Sequence, residues 1–278
     1  FLDSMIGDRD MTAITQVRGT GSMFGLQGQL PFRGETWSKV RRMKLAERFE
    51  AINTPEIFAK LVEEGASTDR WDGLKDIYYL GLSETPNYTA ETGDNVLRMM
   101  AGSGETFAEI FLRVAKETQG KGLFNFRMFC KDLVELGDLF KSDRIFPSLG
   151  DAGAHVSQIM DADWTTFVLA YWIRDRKLYS LGEGIRRMTS GPARVMGLKD
   201  RGVLEVGKRA DINVFDLAKV TQLQPEIVHD FPGGAPRFIQ RAKGYRATLV
   251  NGQVNILNDA HTGTRAGTVI RHAALAMA

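Results

Sequence analysis

Between Ile145 and His155 a short apolar run, Ile145, Phe146 and Leu149, gives way to small residues around one carboxylate, Asp151, and one imidazole, His155. The run reads as the end of a buried strand. The small neighbours let backbone and ligand come close to Asp151. An acid at the C-terminal end of a buried strand is where a (β/α) barrel keeps its chemistry. The chain must therefore bury a strand and open onto a small-residue loop directly after it.

The 278 residues suffice for one large domain or two modest ones. Hydrophobic content of 43% and charged content of 25% place the chain among ordinary globular proteins. Thirty-six basic residues against 34 acidic ones leave a net charge of +2, with no basic face, so nucleic acid is not an expected partner. The one cysteine, Cys130, rules out an internal disulfide and fits a reducing compartment; it reads as a small buried hydrophobe. No apolar run reaches spanning length and no signal peptide opens the chain, so no membrane partner is expected and the cytoplasm is the expected location. Phe1 falls inside an apparent helix with no initiator methionine, which suggests a piece of something longer.

Along the chain, Phe1, Leu2, Met5 and Ile6 have helical spacing, and Ala13–Val17 reads as a strand. Residues 22–75 are loop-rich, with a helix expected from Thr54-Pro55-Glu56. A second strand is expected over Asp76–Leu80. A helix opening at Ser103 or Thr106 carries Phe107, Ile110, Phe111, Val114 and Ala115. A third helix is expected over 126–140. The excursion from Val17 to Ile145 is far longer than a plain βα loop, which implies an inserted subdomain. Further helices are expected near 163–175, from a capping box at Ser180–Glu183, and from Ser190-Gly-Pro192. After Arg201 the texture changes to short strands and glycine turns: a pair of half-strands over 201–207, a strand over Asp211–Phe215, and a hairpin turning at Asn251-Gly252. The expected division is residues 1–200, with an insertion over about 22–140, and a small β domain over 201–278.

Several stretches occur together in a fixed order: Gly150-Asp-Ala-Gly-Ala-His155, Met188-Thr-Ser-Gly-Pro-Ala-Arg194, Arg201 through Asp216, Gly244 through Gly252, and Thr262 through Gly267. In these the chain resembles the C-terminal half of an N-acyl-D-amino-acid deacylase (D-aminoacylase)-like member of the amidohydrolase superfamily. The resemblance implies an α/β fold: the C-terminal part of a metal-dependent (β/α)8 TIM-like barrel with an inserted subdomain, plus a share of a small β-sandwich. Ala13–Val17 would be the seventh barrel strand and Ile145–Leu149 the eighth. One or two zinc ions would activate a water, and Asp151 would take its proton, pass it to the leaving amine and touch the metal. The family's ligands include a His-x-His pair and two further histidines. None of this chain's four histidines, 155, 229, 261 and 272, fits that set. Either a missing N-terminal half of the same protein supplies the other ligands, or the metal has been lost. Gly150 also stands where the family usually has serine.

Each candidate has two readings. Asp151 is the catalytic acid/base and metal ligand, or a helix N-cap or turn aspartate. His155 binds substrate, or orients a loop. Arg174 captures a substrate carboxylate, or ends a solvated helix where the dipole favours cations. Asp211 and Asp216 read as turn acids, and Trp164, Tyr171 and Trp172 as core. Ser83, Asn87 and Tyr88 would line a pocket only by family logic. The expected function is a metal-dependent hydrolase of the non-peptide C–N bond of an N-acyl-D-amino acid or similar amide, in which this fragment alone is inactive. The alternatives are a catalytically silent amidohydrolase-like scaffold or binding module, and a cyclic-amide (hydantoinase-like) hydrolase. A homo-oligomer is compatible with each.

Overall fold

In the computed structural model, which describes residues 2–149, 153 and 155–270, the first part of the chain carries five strands: Ala13–Gln16 (β1), Thr20–Phe24 (β2), Ile77–Tyr79 (β3), Phe124–Phe129 (β4) and Ile145–Ser148 (β5). The first and last of these pair in parallel, Ala13 opposite Ile145 and Gln16 opposite Ser148. A parallel pair needs a long crossover, and the excursion between β1 and β5 is that crossover. The fold is mixed α/β.

The excursion has its own sheet, in the order β2–β4–β3 and antiparallel throughout. Against it lie helices Glu35–Arg41, Leu45–Asn53, Pro55–Gly65, Val96–Ser103 and Phe107–Glu117. Thr106 opens the last of these with a full capping box: its Oγ1 accepts from the Glu109 amide, and Glu109 Oε2 accepts from the Thr106 amide at 2.8 Å. The buried face of that helix then meets rings from the whole excursion. Phe32 stacks on Trp37 at 4.3 Å and stands edge-on to Phe111 at 5.2 Å; Phe24 stacks on Phe124 at 5.6 Å. These rings form one apolar cluster with Leu26, Leu61, Leu74 and Ile110.

Three local expectations are corrected. Residues 126–140 are not one helix: β4 runs to Phe129, and the helix is Leu133–Leu139. Asp132 caps it through bonds from the Val134 and Glu135 amides, so the helix can start only there, although the apolar spacing runs on through both elements. Thr54 does not cap with its side chain; its hydroxyl donates to the Glu50 carbonyl of the preceding helix. Ser180 does cap, accepting from the Glu183 amide, but the Glu183 carboxylate binds Arg186 and Arg187 instead of closing a box.

A second core joins β1 and β5 to the helices beyond residue 163. Trp164–Phe167 continues into a π-helical stretch, Val168–Asp175, whose Trp172 is buried and donates from Nε1 to the Val17 carbonyl at 2.8 Å. Helix Leu181–Met188 sends Arg187 inward, where its Nη1 donates to the Ser142 and Ile145 carbonyls at 2.6 and 2.8 Å. Helix Ser190–Val195 lies so close to β5 that a Cβ on Gly191 would meet Phe146 Cζ at 2.9 Å.

Beyond residue 200 the strands are Ile212–Phe215 (β6), Thr221–Val228 (β7), Arg237–Lys243 (β8), Tyr245–Val250 (β9), Gln253–Leu257 (β10) and Ala260–His261 (β11). Val220, just before β7, and Phe238 on β8 enter the second core. The sheet β11–β10–β9–β6 buries none of its residues. Asn251 and Gly252, both at positive φ, make the expected hairpin turn. The expected half-strands at 201–207 are absent: Gly202 and Gly207 sit at φ +88° and +90°, and no strand pairs with the exposed Val203, Leu204 and Val206 between them.

Candidate site at the ends of the parallel strands

Gln16 and Ser148, the last residues of β1 and β5, face one another in register. Directly beyond Gln16 the chain turns Arg18 into the interior. The Arg18 guanidinium is buried and donates to Asp163 twice, Nη2 to Oδ1 at 2.6 Å and Nε to Oδ2 at 3.2 Å. Nη2 also donates to the Met160 carbonyl at 2.5 Å, Nη1 to the Gly19 carbonyl, and Asp161 Oδ1 lies 3.7 Å away. The guanidinium plane covers the Tyr88 ring at 3.6 Å, and the Tyr88 hydroxyl donates to Gln240 Oε1 on β8. One cation thus links β1, the segment after β5, the excursion and the β7–β8 ribbon.

Burial by itself would lower the Arg18 pKa, but Asp163, then Tyr88 and Asp161, outweigh it and raise it. Burial pushes the Tyr88 hydroxyl up, so it stays a neutral donor. Arg127 is buried nearby and lacks such company. Its guanidinium donates to the Ala90 and Tyr88 carbonyls and covers the Tyr78 ring at 3.8 Å. Burial with no carboxylate among its causes lowers it to about 10.

A cavity of about 10 Å³ lies at the strand ends, lined by Gln16, Arg18, Thr20, Ser148, Asp161 and Trp164. Asp151 comes three residues after Ser148 in sequence and lies outside the described residues. His155 is exposed, and its carbonyl accepts from the Gln158 and Ile159 amides at 2.8 Å, closing a turn. The Val156 carbonyl accepts from Phe238, and Gln158 from Met23, which pins that turn between β8 and β2. Arg174 donates from Nη1 to the Val220 carbonyl at 2.6 Å and from Nε to Asp175 at 2.7 Å. Ser83 is exposed and donates to the Thr85 carbonyl.

Asp211 and Asp216 act as turn acids, accepting from the Asn251 and Ala218 amides. His229 and His261 are exposed and make local contacts, with Gly234 and Gly263; His272 lies outside the described residues. Cys130 is half-buried, its Sγ 3.7 Å from Thr15 Oγ1. No group of three or more His, Cys, Asp or Glu side chains among the described residues could hold a metal ion. Sequence reasoning missed Arg18, Asp161 and Asp163. The pairing spans 145 residues, and the only local signal was a lone arginine after a strand and two acids at alternate positions.

The sequence from Cys130 to Ile256 matches the model of the amidohydrolase family. That segment includes β5, the sequence carrying Asp151 and the helices behind it. The chain is 47% identical over 55 residues to an N-acyl-D-glutamate deacylase of Alcaligenes xylosoxydans xylosoxydans, 19% of this chain and 11% of that protein. It is 34% identical over 113 residues to a D-aminoacylase of the same organism, 40% of this chain and 22% of that protein. The chain thus spans less than a quarter of either relative in its matched stretches. A solved D-aminoacylase mutant in complex with copper chloride overlaps 70% of this chain and 38% of its own at 23% identity, with a TM-score of 0.43, which is too low to bear on the fold.

Proposed function

We propose that this chain is part of a hydrolase that cleaves the non-peptide C–N bond of an N-acyl-D-amino acid. The observation that carries the reading is the match of residues 130–256 to the amidohydrolase family, in a segment where the buried strand β5 is followed in sequence by Asp151 among small residues. In this reading the Asp151 carboxylate is the base that accepts a proton from the attacking water and delivers it to the departing amine. His155, exposed four residues on in sequence, is assigned to substrate contact. Arg18 with Asp163 is assigned to tying the end of β1 to the segment at Met160–Asp163 rather than to the reaction.

The same proposal takes β1 and β5 as neighbouring strands of a (β/α)8 barrel, the excursion as a subdomain over the barrel's C-terminal end, and β11–β10–β9–β6 as one layer of a β-sandwich. Two supports are the parallel pairing of β1 with β5 and a sheet with no buried residue on either face. The described residues do not form a metal-holding set, so no step here runs through an ion. A zinc-class ion in the whole protein would need holders beyond those residues.

The deciding experiment is a substrate panel on the intact protein. N-acyl-D-amino acids should turn over, while N-acyl-L-amino acids, dihydroorotate and hydantoins should not. Because dihydroorotases also match parts of this chain, turnover of a cyclic amide instead would move the assignment to that class. No turnover of any amide, with no bound metal, would support a silent scaffold.

A further inference from the structure

We infer that the cavity at the ends of β1 and β5 is a binding site for one ordered water, held by Gln16 Oε1 and Thr20 Oγ1. Both atoms are buried and have no hydrogen-bond partner among the described residues. Buried polar atoms are paired in the great majority of native structures, and those left over are commonly satisfied by internal water. Thr20 is almost wholly inaccessible, so bulk solvent does not reach its hydroxyl. Both residues line the same cavity, whose volume of about 10 Å³ matches room for a single water.

The donor and acceptor pattern fits water better than a cation. The water donates one hydrogen to Gln16 Oε1 and accepts the hydrogen of Thr20 Oγ1. Its second hydrogen faces a wall that includes Asp161 and Ser148. A metal ion in the same space would sit beside the Arg18 guanidinium, which lines the cavity too and is already paired with Asp163. The bound water completes a polar shell that runs from the strand ends to that ion pair. It does not depend on the proposed reaction.

A crystal structure of the intact protein at a resolution showing ordered solvent should place one peak within hydrogen-bonding distance of both atoms. In solution, oxygen-17 relaxation dispersion counts long-lived internal waters. Thr20→Val should lower that count by one, and Thr20→Ser should leave it unchanged. Gln16→Met, which keeps the length of the side chain, is the second variant should Thr20→Val fail to fold, and it should also remove one. A dry cavity, side-chain or backbone atoms of residues 150–154 occupying that position, or an unchanged count in both Thr20→Val and Gln16→Met, would overturn the inference.

Discussion

The excursion and the junction of β1 with β5 each bury an apolar core, but the junction adds a buried ion pair to it. The excursion is closed by rings: Phe24, Phe32, Trp37, Phe107, Phe111 and Phe124 contact one another, and Trp37 Nε1 donates to the Leu61 carbonyl. The junction holds a charged pair, Arg18 with Asp163, and Arg187, which gathers carbonyls at the start of β5. Apolar packing is non-directional and fixes a shape. Buried ions contribute little net stability but punish any arrangement that leaves one unpaired. The excursion can therefore pack on its own contacts, while the junction depends on several distant segments arriving together.

The largest expected effect belongs to the ring cluster. Phe111→Ala should cost roughly 3–5 kcal/mol in denaturant unfolding, because the hole is lined by other rings that cannot all collapse into it. A loss under about 1 kcal/mol would show that the excursion is not a tightly packed body. Next comes the junction. Asp163→Asn leaves the buried Arg18 cation with only the more distant Asp161 carboxylate and should cost about 3 kcal/mol. The triple change Arg18→Met, Asp161→Asn and Asp163→Leu should cost less than the single one, since the buried charges leave together. Equal costs would remove the distinction between the two regions.

A smaller effect concerns pH. Glu183 is held at about 2, against an ordinary 4.5, by hydrogen bonding from Arg186 first, opposed by burial, and then by Arg187. A depressed carboxylate stabilises the fold above its unfolded value and loses that contribution as pH falls through its folded value. Wild-type stability should therefore drop between about pH 4.5 and 2, and Glu183→Gln should flatten that part of the profile. Thermal melts across the window read both. The smallest effect belongs to the open sheet: Leu257 on β10 is exposed, so Leu257→Ala should change stability by about 0.5 kcal/mol or less. A large loss there would mean the sheet face is covered.

These regions also differ in how far their sequences announce them. The helix at Phe107–Glu117 and the hairpin at Asn251-Gly252 are legible because cap, apolar period and turn residues lie within a few positions of one another. Strand β4 is not, because its aromatic residues fall at a spacing that the next helix continues; only Asp132 marks the break. The pairing of β2 with β4 rests on contacts about a hundred residues apart in sequence, including a backbone approach at Gly21 that a Cβ would block at 2.0 Å. The parallel pair was readable as two strands, and the family resemblance made them neighbours. The Arg18–Asp163–Tyr88 cluster was not readable, since no local pattern says which arginine turns inward. Arg174 was legible as a cation at a helix end, while its distant carbonyl partner at Val220 was not.

The central claim is that the carboxylate at position 151 does the proton transfer in amide hydrolysis. The direct measurement is steady-state turnover of an N-acyl-D-amino acid by the intact protein and its Asp151→Asn variant, with folding of both checked by thermal melt. The account predicts a fall in kcat of roughly a hundredfold or more with KM little changed. A folded Asp151→Asn protein that turns over at near the wild-type rate would contradict it.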